Sequence, residues 1–273
     1  MKLDGLKGLK AHNEAIEKAA KEREAAREAG STNWMKLKDG MWLKGWFVEE
    51  LDNEAEGYDP AIGTAAIVLE HSGPGPQGFK RRAECTVIED ENGGFPHEGC
   101  VPCQRRWEAN RDKTEAWKLW KKAAARVYLN FVVTEAGGEY RPAKGPVVPN
   151  PHAAGDVIVV GQAADSKQSV MPSLLGYAED GSITNRSFRI TCAGEGTDTT
   201  YTLRSYDKEA APFKVADVER NDLTKAYTTL TYDEQVAYYD STPGYVPGVG
   251  PVVSVEGATE VTAESSSAGF KSW

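Results

Sequence analysis

From Trp34 onward the chain alternates short apolar runs with polar, glycine- and proline-bearing breaks, the pattern of strands joined by turns. MKLKDGMWLKGWFVEELD (35–52) carries an Asp-Gly turn signal followed by an aromatic-rich segment of strand type. AAIVLEH (65–71) is a second apolar run. Residues 72–103 carry glycine, proline and charge without periodicity and read as loop. The composition of 104–126 predicts a helix, and ARVYLNFVV (125–133) a strand after it. VIVVG (157–161), SFRITCAG (187–194) and TTYTLRSY (199–206) are further strands, with a partly helical segment over 167–180 that holds Pro172 near its start. Beyond Lys214 the pattern fits one or two helices.

The ends read differently. Residues 13–29 predict a helix, with Asn13 as N-cap, Glu14–Lys18 and Glu17–Lys21 at favourable spacing and Gly30 as stop. That helix is polar all round, so it is expected to be an exposed arm rather than core. The Pro/Gly/Val stretch after residue 241 and the small-residue tail read as a flexible linker and tail. The expected organisation is an arm (1–33), a core (34–206) with a smaller unit inside it at about 71–126, a helical extension (207–240) and a tail (241–273). Short strands around a helix, without regular β-α-β alternation, place the fold among mainly β or α+β proteins, as a small barrel with peripheral helices.

Charge and cysteine content sharpen this picture. The 273 residues carry 32 basic and 41 acidic side chains, a net charge of −9. No apolar run is long enough to span a membrane, and the opening MKLDGLKGLK lacks the apolar stretch of a signal peptide. A reducing compartment is therefore expected. There, four cysteines suggest metal ligation or inert thiols before disulfides.

Three cysteines fall within one stretch: Cys85, and Cys100 with Cys103 in HEGCVPCQRR (97–106). A C-x-x-C knuckle lets two sulfurs of one turn reach one ion, and Pro102 pre-sets the turn. A redox dithiol would instead begin a helix after a strand, whereas GGFPHEG precedes this pair. Zinc needs a fourth donor, and His71 and His97 are both near. Three thiolates and one imidazole close the coordination, so the expected single zinc is structural. Cys192 sits in a strand pattern and reads as a buried thiol.

The acidic total conceals a basic region. Residues 104–131 hold eight basic and three acidic side chains. On a continuous helix Arg111, Lys118, Lys122 and Arg126 fall close to whole turns and form one stripe, beside an apolar stripe of Trp117, Trp120, Ala124 and Val127. Lys80, Arg81 and Arg82 precede Cys85, and Arg105 and Arg106 follow Cys103, so one metal site would draw both clusters together. Aromatics on the strands, among them Trp42, Trp46, Phe47 and Tyr128, add the second ingredient of sequence-tolerant single-strand binding: bases stack while cations track the backbone.

In this order the features resemble the zinc-containing, OB-fold single-stranded DNA-binding proteins of tailed bacteriophages. The resemblance rests on KLKDGMWLKGWF, on the strand ending at His71, and on H-x13-C-x14-C-x2-C through Cys85, Cys100 and Cys103. It continues through the strand Tyr128–Val133 and RITCAGEGTDTTYTL, and covers roughly residues 34–206. It implies an OB-fold barrel with an inserted zinc unit, His71 rather than His97 as fourth ligand, and a cleft aromatic at Tyr128. It further implies Lys44 and Trp46 in the opening strand beside the DNA, although Gly45 stands where the family tends to place arginine. Such a protein coats single-stranded DNA during replication, recombination and repair in the cytoplasm of an infected bacterium, without catalysis. Self-association through the arm and docking of replication proteins on the C-terminal segment are the implied partnerships. The acidic tail of the family is diluted here, with three glutamates and one lysine over 254–273. Two other classes compete: a zinc-dependent nuclease using His97 with Glu89, Asp90 and Glu91, and a zinc module that binds RNA or protein.

Overall fold

The structure, a computed structural model, describes residues 32–74, 80–87, 99–208 and 210–240. The expected N-terminal arm and the tail, together with His97, Glu89, Asp90 and Glu91, lie outside the described residues. Antiparallel β structure dominates. Strands β1 (Trp42–Phe47), β2 (Ala66–Pro74), β3 (Lys80–Glu84), β4 (Ala124–Gly137), β7 (Val157–Ala163), β8 (Arg186–Ala193) and β9 (Thr200–Lys208) form one sheet. Its order is β3-β2-β4-β1-β8-β9, and β7 pairs with β4 off this path. Two short strands, β5 (Glu139–Tyr140) and β6 (Val148–Pro149), form a separate ribbon. The helices are α1 (Val101–Arg111), α2 (Met171–Glu179) and α3 (Tyr232–Asp240). The fold is therefore mainly β with peripheral helices; among the described residues no pairing joins the edge strands β3 and β9 into a closed barrel.

β4 is the organising strand. Its first half pairs with β2 and its second half with β1, while β7 lies along the opposite edge. Alternate residues Val127, Leu129, Phe131 and Val133 enter the main core with Met41, Leu43, Phe47, Ile158, Phe188 and Ile190. Apolar burial of this kind contributes about 25 cal/mol per Å². The other β4 face is buried too. The segment after β9 crosses it, setting Ala226 on Val68 and Val159 and Tyr227 on Tyr128. Asn130, on that face, donates from Nδ2 to Glu49 Oε1 at 2.8 Å, and its Oδ1 accepts the Asn221 backbone N–H at 3.0 Å. Burial raises the Glu49 carboxyl pKa against the opposing pull of these hydrogen bonds.

Opposite the Lys44–Gly45 step of β1 the pairing skips Thr134, a bulge on β4, and the β4 backbone approaches Gly45 closely. A Cβ built at Gly45 would stand 1.9 Å from the Val132 carbonyl oxygen, so no arginine fits where the family resemblance would put one.

Two expected elements differ. The helix predicted for 104–126 begins at Val101 and stops at Arg111; a 3₁₀ turn (Glu115–Lys118) follows, and Ala124 already begins β4. The stop is a Schellman closure. The Thr114 N–H donates to Ala109 O at 2.9 Å and the Lys113 N–H to Asn110 O at 3.2 Å, with Lys113 left-handed at φ 53°. Glycine usually takes that position, and a lysine there gives no sequence signal. The second difference is β3, KRRAE, within the predicted loop. Its charges suit an edge strand, and backbone pairing to β2, invisible in composition, makes it a strand.

Lys113→Gly is expected to stabilise the protein by about 1 kcal/mol, because it removes the left-handed strain of a side-chain-bearing residue. Urea unfolding checks this: a midpoint that stays or falls contradicts the assignment of the helix stop.

Candidate metal centre and its cationic surround

Four donors converge from three separate stretches. His71 lies on β2, opposite Ala83 of β3, and Cys85 immediately follows β3, its N–H bonded to Leu69 O at 2.6 Å. Cys100 and Cys103 begin α1. The four ligand atoms lie within 4.8 Å of one another, a set that can hold one metal ion. The Cys85 sulfur is 4.0 Å from that of Cys100 and 3.9 Å from that of Cys103, and Cys103 Sγ is 3.1 Å from His71 Nε2. His71 Nδ1 lies 2.9 Å from the Lys121 carbonyl oxygen. A proton on Nδ1 donates there and leaves Nε2 to face the sulfurs, the usual outer support of a metal-binding histidine. Cys192, the fourth cysteine, is buried in the main core away from this group.

Electrostatics favour a cation. Burial opposes charge on the His71 imidazole, yet the Cys100 and Cys85 sulfurs outweigh it and raise its pKa to about 10. Hydrogen bonds from Cys103 and Cys85 drive the Cys100 thiol far below its ordinary range, while Cys100 and Cys85 push Cys103 up. The N-terminus of α1 adds its partial positive charge beside the thiolates. A divalent ion stabilises all three sulfurs as thiolates and displaces their protons.

The C-terminal segment builds the outer wall of this unit. Thr231 and Glu234 cap α3 reciprocally, Glu234 accepting the Thr231 N–H at 2.8 Å and its own N–H reaching Thr231 Oγ1 at 3.4 Å. Gln235, fully buried on α3, accepts the Val101 N–H at 3.0 Å and so satisfies a free donor at the start of α1. Its amide also donates to Thr86 Oγ1 at 3.1 Å. Tyr239 packs edge-on against Trp120, and the Glu84 N–H donates to Thr228 O at 2.8 Å. Nothing in the sequence pattern marks Gln235 for this role.

The cations expected near DNA have distinct placements. Lys80 and Arg82 are exposed on β3, and Arg81 is half-buried over the Tyr238 ring at 4.7 Å. On α1, Arg105 lies over Trp120 at 4.9 Å, and Arg106 donates to the carbonyls of Trp117 at 3.2 Å and Trp120 at 2.7 Å. Arg111 pairs with Asp112 at 2.8 Å, Lys118 pairs with Glu115, and Lys122 is exposed. The donor group joins β3 to α1, but Ala83 is the β3 residue packed on Val101 and Trp120 of that unit, while Arg82 lines the pocket beside Tyr128 and Tyr227 on the other face. The single helical stripe of Arg111, Lys118, Lys122 and Arg126 does not form, because the helix ends at Arg111. Arg126 sits on β4, ion-paired to Glu70 at 3.2 Å and donating to Gly161 O at 2.7 Å. Lys44 pairs with Glu135 at 3.3 Å.

The two strand aromatics expected to stack bases are interior. Trp46 is 5% exposed, edge-on to Phe213, and Tyr128 is 3% exposed under Tyr227 and Trp34, its hydroxyl donating to Glu70 Oε1 at 2.6 Å. The covering segment after β9 is the physical reason. It leaves a cavity of about 370 Å³ bounded by Trp34, Glu70, Arg82, Arg126 and Tyr227. No helix among the described residues is long and apolar enough to cross a membrane.

Comparison of the chain with family models, with curated proteins and with solved structures finds no match in any of the three.

Metal analysis of the purified protein should return one ion per chain, and Cys85→Ser should lose it. Retention of a full equivalent by that variant would contradict the four-donor assignment. Gln235→Ala leaves the buried Val101 N–H without its partner and should cost about 1–3 kcal/mol in urea unfolding; an unchanged midpoint would show that α3 does not support the knuckle.

Proposed function

We propose that this chain is a structural-zinc, single-stranded DNA-binding protein of the tailed-bacteriophage type, its sheet serving as the OB-type unit. The observation that carries this reading is the compact Cys85–Cys100–Cys103–His71 group with cations on both strands of chain it joins. Three sulfurs and one imidazole in tetrahedral reach suit zinc. The ion would join the strand that carries Lys80 and Arg82 to the helix that carries Arg105 and Arg106, in a chain whose net charge is −9. Local positive charge of this kind binds phosphates by releasing counterions, irrespective of sequence.

In this reading the protein coats and protects single strands during replication, recombination and repair in the host cytoplasm, and it is not an enzyme. Four protein donors leave the zinc no open position for a substrate or an activated water. From Asp207 to the end the chain holds 11 acidic and 5 basic residues, a surplus suited to recruiting replication proteins rather than to holding DNA. The N-terminal arm would serve self-association along the strand.

Fluorescence titration with single-stranded oligonucleotides at two salt concentrations tests the proposal. Expected are quenching of tryptophan emission and affinity that falls steeply as salt rises, with no cleavage of labelled DNA when magnesium is added. Absence of binding at low salt, or magnesium-dependent cleavage, overturns it.

A further inference from the structure

Single-strand binding needs open aromatic faces as well as cations, and the strand aromatics do not provide them. Among the described residues the exposed aromatic side chains are Trp107 at 42%, Trp117 at 37% and Tyr232 at 37%, and all three belong to the metal unit. Trp107 lies on α1, Trp117 on the 3₁₀ turn that packs against α1, and Tyr232 at the start of α3 donates to Gln104 Oε1 of α1 at 2.5 Å. A continuous helix would have turned Trp117 inward beside Trp120. The Lys113 stop breaks that register, so Trp120 is buried against Tyr239 while Trp117 faces out with Leu119, which is 58% exposed.

Each exposed tryptophan is backed by a cation. The Arg111 guanidinium lies 4.9 Å from the Trp107 ring centre. Arg106 lies 5.6 Å and Lys118 5.8 Å from that of Trp117. Arg106 is anchored by two backbone carbonyls and holds its place without a carboxylate partner on that contact. The acids of this stretch are Glu108, Asp112 and Glu115, against seven lysines and arginines over 104–122. Two of those acids are engaged by Arg111 and Lys118, and Glu108 accepts from Gln104 at 3.0 Å. The outer surface of α1 and the turn after it therefore presents two large exposed rings, each beside a cation, on a stretch with a surplus of basic side chains. A hydrophobic protein partner would meet that charge unfavourably; a polyanion with stackable bases meets both features.

We propose that the outer surface of α1 and the turn after it is a base-stacking site for single-stranded DNA, with bases on Trp107 and Trp117 and phosphates along Arg106, Arg111, Lys118 and Lys122. It rests on the DNA-binding reading above and adds to it where the bases lie: on the metal unit, away from Trp46 and Tyr128. The ion sets the orientation of α1 and hence of both rings.

Fluorescence-anisotropy titration of the full chain with labelled oligo-dT, and with duplex DNA of the same length, tests the site. The variants are Trp107→Ala with Trp117→Ala, and Trp107→Tyr with Trp117→Tyr. Circular dichroism and metal content of each should match the wild type, because neither ring belongs to a buried core cluster or to the donor set. The double alanine variant should bind oligo-dT more weakly, by about fivefold to about a hundredfold for each ring removed. Its salt dependence should be unchanged and its duplex affinity little altered, and the tyrosine variant should recover most of the loss. Wild-type binding that the alanine variant reproduces overturns this site and leaves the DNA-binding reading standing. Equal losses on duplex and single strand overturn stacking in favour of bare charge. A wild-type chain that does not bind oligo-dT overturns both readings.

Discussion

The described structure turns on the convergence of three sulfurs and one imidazole within 4.8 Å. Apolar packing gives α1 little hold, since it buries only Val101, Pro102 and Ala109. A helix with so little to bury needs ties of another kind. Among them are the donors Cys100 and Cys103 at its start, the Gln235 amide on its first free N–H, the Tyr232 hydroxyl on Gln104, and the Arg106 contacts to the turn beyond it. With an ion bound, the first would be the strongest, because binding of a structural ion is itself folding free energy.

From that constraint the rest of the molecule can be followed. His71 and Cys85 fix the β2–β3 ribbon to α1, and the Lys121 carbonyl that supports His71 brings the chain back to β4. β4 then carries the main core on one face and the crossing segment on the other. Asn130 joins that segment to Glu49, and Glu70 joins Tyr128 to Arg126. Covering the second face removes strand aromatics from solvent. The open aromatic surface is displaced to the metal unit, where the cations also gather.

Much of this arrangement was legible in the residues. The Asp39-Gly40 turn, the apolar run up to His71 and the cysteine spacing located β1, the start of β2 and three of the four donors, because turn chemistry and metal-ligand spacing are local properties; only the resemblance favoured His71 over His97 as the fourth. The strands around Phe131, Ile158 and Phe188 showed in their apolar runs. What failed depended on geometry that composition does not carry. A lysine takes the left-handed position that ends α1, so the sequence pattern carries the helix fifteen residues too far and puts Arg126 on the wrong element. The strand KRRAE is made by pairing with β2 rather than by its own apolar content. Burial of Trp46 and Tyr128, and the role of Gln235, follow from where a distant segment crosses the sheet, a long-range fact with no periodic signature.

Amide hydrogen exchange with the metal bound and then chelated tests the central claim most directly, since it reads each element separately. If one ion orders the metal unit, chelation will strip protection together from 101–111 and from 232–240, while the core strands Trp42–Phe47 and Arg186–Ala193 keep theirs. Unchanged protection of both helices without metal would show that packing, and not the ion, holds the cationic face in place.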